Sequence, residues 1–111
     1  MLIELSDEFV SSWLLKPIPL EGTEPGELRL KLEVWKKCNQ DAFFVWAWRL
    51  DSYRLLPTSA STTTLDAADV EIFVADDFIN AKLEALSAKS AREALAFALE
   101  WLQKWFGDKL D

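Results

Sequence analysis

An α+β fold is predicted, with an antiparallel sheet of three to four strands and a C-terminal helix packed on one face. Three observations predict it. Leu28, Leu30, Leu32 and Val34 alternate with Arg29, Lys31 and Glu33, the period of a strand with one buried and one solvated face. The stretch from Ala42 to Leu50 is apolar at both odd and even positions, so it reads as a central strand. Residues 91–106 carry an apolar stripe at helical spacing behind a Ser90–Glu93 capping box. Strand patterns precede helix patterns, which argues against parallel β-α-β winding.

In chain order, Leu2-Ile3-Glu4-Leu5 reads as a short fourth strand. Phe9, Val10, Trp13 and Leu14 are spaced one, three and four apart, which predicts a helical turn over Phe9–Leu15 with Ser6 as its cap. Pro17, Pro19, Gly22, Pro25 and Gly26 predict a loop over 16–27. A strand over 28–37 follows, with Trp35 on its solvated side. Asn39-Gln40-Asp41 holds no Gly, which predicts a turn longer than the tightest two-residue type. The next strand spans 42–55. Phe44, Trp46, Trp48 and Leu50 share one face, and Phe43, Val45 and Ala47 the other. Such a strand is covered on both sides, or its second face meets a partner. Residues 57–64 are small and polar, a surface loop, and 69–75 form a further strand. Asp76-Asp77 cap a helix from Phe78 to Leu86, and Gly107 stops the helix that begins at Ala91.

A chain of 111 residues supports one domain over 1–111, and 50% hydrophobic content places it among globular proteins. There is no His, which rules out His-based triads, bases and metal sites, and the single Cys38 excludes an intramolecular disulfide. No apolar stretch approaches the roughly 18–20 residues that span a bilayer. The start of the chain carries Glu4, Asp7 and Glu8 where a signal peptide needs basic residues. A cytoplasmic protein with a reduced Cys38 is the expectation, with no membrane partner.

The net charge of −7 argues against a nucleic-acid partner and permits a basic protein partner. The charge is uneven: −5 over residues 1–28, +3 over 29–54, −5 over 55–81, and zero over 82–111.

Acids are the only abundant ionisable type that could carry chemistry. Asp66, Asp69, Glu71, Asp76 and Asp77 are the candidates, but capping accounts for Asp76 and Asp77. Residues 66–77 contain no Gly, unlike a calcium loop. Cys38 has no His to activate it, and three scattered Gly make no phosphate loop. The chain is therefore expected not to be an enzyme, and to need no cofactor or metal. Trp46, Trp48, Trp101 and Trp105 sit at core-facing spacings. Trp35 and Tyr53 are the better candidates for exposed anchors.

In size, acidity and lack of catalytic motifs the chain resembles bacterial immunity proteins, which neutralise a toxin by covering its active site. That resemblance implies a small acidic, non-catalytic protein-binding module of the inhibitor type. Glu21, Glu24, Glu27, Asp66, Asp69 and Glu71 would then steer and dock the partner, with Trp35 or Tyr53 as anchor. A second reading is a secretion or assembly chaperone or adaptor subunit, a homodimer that buries the strand at 42–50. A third is a small enzyme that uses carboxylates alone.

Overall fold

The alternating segment Leu30–Lys36 pairs antiparallel with the apolar segment Phe43–Leu55, setting Leu32 against Ala47 and Val34 against Val45. The computed structural model describes residues 7–20, 26–55 and 68–107. In chain order its elements are β1 (Glu8–Leu14), β2 (Ile18–Pro19), β3 (Glu27–Leu28), β4 (Leu30–Lys36), β5 (Phe43–Leu55), β6 (Ala68–Ala75), α1 (Asp77–Leu83) and α2 (Ala91–Phe106). Four strands form an antiparallel sheet in the order β1-β4-β5-β6, and β2 pairs with β3 in a separate ribbon. The protein is α+β. No helix among the described residues is long and apolar enough to cross a membrane.

Both helices cover the same face of the sheet. Ile79 and Leu83 of α1 and Ala94, Ala98 and Leu102 of α2 share one buried cluster with Leu30, Leu32, Val34, Val45 and Ala47. The small side chains explain the geometry. Ala47 on the sheet and Ala94 and Ala98 on the helix are all buried, so α2 can approach β5 closely. Ser90 caps α2 by accepting from the Glu93 backbone N–H at 3.1 Å, and Gly107 ends it at φ 61°, where a Cβ would be strained. Asp76 caps α1, accepting from the Ile79 N–H at 2.9 Å.

Asn80 closes the stretch of the β5 edge that β6 does not reach. Trp48 faces Ala75 at the end of the β5–β6 pairing, and β5 runs on past that point to Phe43. There the Ala47 N–H donates to Asn80 Oδ1 at 2.6 Å, and Asn80 Nδ2 donates to the Ala47 carbonyl at 3.0 Å. Further along, Phe43 and Ala88 exchange backbone hydrogen bonds at 2.8 and 2.9 Å. Asn80 of α1 and Ala88 beyond it therefore pair with the part of β5 that β6 does not reach.

Arg49 lies near the same stretch. Its guanidinium meets Asp51 at 2.8 Å and Asp76 at 3.5 Å. The Asp51 hydrogen bond raises its pKa above the ordinary guanidinium value against the opposing effect of burial.

Three expectations are corrected. Phe9–Leu15 is not helical: Glu8–Leu14 is the edge strand β1. Its register shifts between Phe9 and Ser11, where Val10 forms a bulge. The extra residue breaks the alternation of two and leaves apolar spacings that mimic a helical turn. The 16–27 loop contains the β2–β3 ribbon, and Ile18 is wholly buried. The first helix ends at Leu83 and not at Leu86. The turn between β4 and β5 is longer than two residues, with Asn39 at φ 57°, a conformation that Asn tolerates better than most side chains. The readings for Leu2–Leu5, Ser6 and 57–64 lie outside the described residues.

Candidate interaction face

Among the described residues, the opposite face of the sheet carries no helix, and it is where the aromatic residues gather. Strand pairing fixes its rows. Phe9, Trp35 and Phe44 lie abreast on β1, β4 and β5. Ser12, Glu33 and Trp46 form the next row, then Leu14, Lys31 and Trp48. Beyond them Leu50 faces Phe73 and Ser52 faces Glu71. Trp35, Phe44, Trp46, Trp48, Leu50 and Phe73 are all half-buried. Phe9 and Leu14, at the rim, are 52% and 69% exposed. No element among the described residues lies over these rows.

The polar residues of the face are pinned within it. Glu33 Oε1 accepts from Trp48 Nε1 at 2.6 Å and from Trp35 Nε1 at 3.4 Å. Lys31 Nζ lies 3.7 Å from Glu33 Oε2. The same ammonium sits 4.7 Å from the Phe73 ring centroid and 5.7 Å from that of Trp48, within cation–π range. Phe9 meets Trp35 edge-on at 5.5 Å. One carboxylate therefore orients two indoles, and one ammonium ties two strands. Toward the far end, Leu14, Leu15, Pro17, Arg29, Leu50, Phe73 and Glu71 line a groove of about 370 Å³.

Replacing Glu33 with Ala is expected to destabilise the fold by about 1–2 kcal/mol, because two indole donors lose a charged acceptor. Glu33→Gln keeps an acceptor and should cost less than half as much. Urea unfolding of the two variants checks the difference. Tryptophan emission should shift further to the red in Glu33→Ala than in Glu33→Gln.

The face is electrically balanced. Arg29, Lys31 and Arg54 offset Glu33, Asp69 and Glu71. Residues outside the described ranges hold six acids and one Lys, and so account for most of the −7.

The structure does not bring the predicted anchors together. Trp35 is half-buried on the helix-free face, whereas Tyr53, 43% exposed, sits on the opposite face beyond the helices. Glu27 is exposed and pairs with Arg29 at 3.2 Å. Asp69 and Glu71 are exposed at the far end of the helix-free face. Glu21, Glu24 and Asp66 lie outside the described residues. Three core assignments are corrected. Trp46 and Trp48 face away from the helices. Trp105 is 56% exposed on the outside of α2, stacked on Trp101 at 5.7 Å and against Phe78 at 5.1 Å. Cys38 is a free, half-buried thiol whose backbone N–H donates to Asp7 at 2.9 Å.

Residues 7–110 match the family described as "Uncharacterised protein YehK", and the chain belongs to that family. No curated protein and no solved structure matches the chain.

Proposed function

We propose that this protein is a non-catalytic module that binds a protein partner on its helix-free sheet face. The observation that carries the reading is the cluster of Trp35, Phe44, Trp46, Trp48 and Phe73 across three adjacent strands, uncovered among the described residues. A sheet face left to water ordinarily alternates to polar residues. Here it carries aromatics with a few pinned charges, the composition of an interface centre. Occlusion of a target by the covered area, as an inhibitor or immunity-type protein works, is the form of the reading that the aromatic composition of the face favours.

Because the face is charge-balanced, apolar burial supplies the affinity there, and added salt should weaken the complex little. The test is affinity capture from native lysate with wild-type protein, Trp46→Ala and Trp105→Ala, at low and high salt. The expected result is one stoichiometric partner, retained at high salt and by Trp105→Ala. Trp46→Ala should lose about 30-fold or more in affinity, the effect of a central hot spot. Equal binding by both variants, or loss of the partner in high salt, would move the contact off this face and overturn the reading.

A further inference from the structure

We infer that the partner segment bound on the helix-free face presents a carboxylate, an Asp or Glu set between apolar side chains, and that Lys31 receives it. This chemistry rests on the proposed use of that face and goes on to say what sits there. Hydrogen-bonding capacity decides it. Glu33 has little left: Oε1 accepts from Trp48 Nε1 at 2.6 Å and from Trp35 Nε1 at 3.4 Å, and its side chain is only 15% exposed. Lys31 is the opposite case. An ammonium carries three donors and no acceptor. Its one ion-pair partner among the described residues, Glu33 Oε2, stands at 3.7 Å, beyond hydrogen-bond reach. The Phe73 and Trp48 rings at 4.7 and 5.7 Å attract the charge but offer no lone pair to its N–H groups.

In the free protein water supplies those acceptors, since the Lys31 side chain is 28% exposed. A partner that covers the row of Leu14, Lys31 and Trp48 removes that water. An ammonium sealed in without an acceptor carries a desolvation cost, so a purely apolar segment is rejected there and a basic one more so. A carboxylate meets the requirement best, because it accepts with both oxygens and a charge-assisted bond is roughly twice as strong as a neutral one. Apolar side chains belong beside it. Leu14 and Trp48 flank Lys31 on the neighbouring strands, and the groove lined by Leu14, Leu50 and Phe73 opens next to them. Arg29, also at that groove, already holds Glu27 at 3.2 Å, so the cation still short of an acceptor within the aromatic rows is Lys31. One ion pair at the centre of an apolar contact sets which segment binds more than how tightly, in keeping with the weak salt dependence expected of the complex.

The test is panning of a phage-displayed random dodecapeptide library against the full chain, as wild type, Trp46→Ala, Lys31→Met and Lys31→Arg. The net charge of −7 biases non-specific capture toward basic peptides, so enrichment of acidic ones reads the local site. Wild-type protein is expected to enrich peptides with an Asp or Glu flanked by apolar residues, and Trp46→Ala should lose them. Lys31→Met keeps an apolar stem without the charge, so it should still enrich apolar peptides but without the acid. Lys31→Arg should keep the acid. Between an enriched peptide and its amide counterpart, wild type should prefer the acid by about tenfold and Lys31→Met by less than about twofold. Binding that depends on Trp46 but shows no acid preference would overturn the inference and leave the face itself standing. So would an acid preference that survives Lys31→Met. Enrichment indifferent to Trp46→Ala, or none at all, would remove the face and the role of Lys31 together.

Discussion

Replacing Asn80 with Leu is expected to lower stability by about 2–3 kcal/mol and the Tm by roughly 10 °C. The site is small and the reason is local. Asn80 is 4% exposed, and its amide both accepts from and donates to Ala47. The Ala47 carbonyl keeps a second donor, the Asp76 N–H at 3.1 Å, so it survives the change. The Ala47 N–H loses its acceptor and stays buried beside the helix, where an unpaired donor carries its full desolvation penalty. Leu matches Asn in size closely enough that cavity formation adds little. Asn80→Asp separates the two bonds: it keeps the acceptor for the N–H and turns the donor into a carboxylate facing the Ala47 carbonyl. Its penalty should shrink as pH falls and the carboxyl regains a proton to donate. Thermal unfolding of both variants at pH 7 and pH 5 checks the argument. An unchanged Tm in Asn80→Leu would mean that water reaches the Ala47 N–H.

The elements that followed a clean local rule were legible in the sequence. Leu30, Leu32 and Val34 alternate strictly, and the structure buries all three. Ser90 and Gly107 bracket α2 at the positions their backbone chemistry demands. Element type was lost at β1, where the Val10 bulge adds a residue to one strand of a pair; the partner strand lies far along the chain, so nothing local reveals it. Asn80 carried no signal, since a lone Asn in a short helix looks like any solvated polar residue until its Ala47 partner is known.

The interaction face was half legible. That β5 is apolar on both faces was plain, but Trp46 and Trp48 sit at spacings that read as core-facing, and the structure turns them away from the helices. The better signal was side-chain size. Ala91, Ala94 and Ala98 line α2 at spacings of three and four, and a helix with an alanine seam sits close to its sheet. Val45 and Ala47 fit beneath such a seam, whereas Trp46 and Trp48 do not. Close packing therefore sends the tryptophans to the other side. Charge was less informative, because most of the excess negative charge lies outside the described residues.

Two substitutions on α2, three residues apart, should differ several-fold in cost. Leu102 is wholly buried in the cluster shared by α2, β4 and β5. Leu102→Ala is expected to destabilise by about 2–5 kcal/mol, through lost transfer energy and a cavity that the surrounding strands cannot close. Against the roughly 5–15 kcal/mol that holds a typical domain together, that is a large fraction. Trp105 is the larger side chain, but it is stacked on Trp101 and Phe78 at the surface, so Trp105→Ala forfeits contacts without opening a void. Its cost should stay near 1 kcal/mol, the value of an exposed aromatic stack. The ranking inverts what size alone predicts. It follows from α2 presenting two stripes, one of Ala94, Ala98 and Leu102 to the sheet and one ending in Trp105 to α1 and solvent. Urea unfolding of the pair decides it. If Trp105→Ala proved the costlier, Trp105 would belong to the core and α2 would have to be rotated about its axis relative to the sheet.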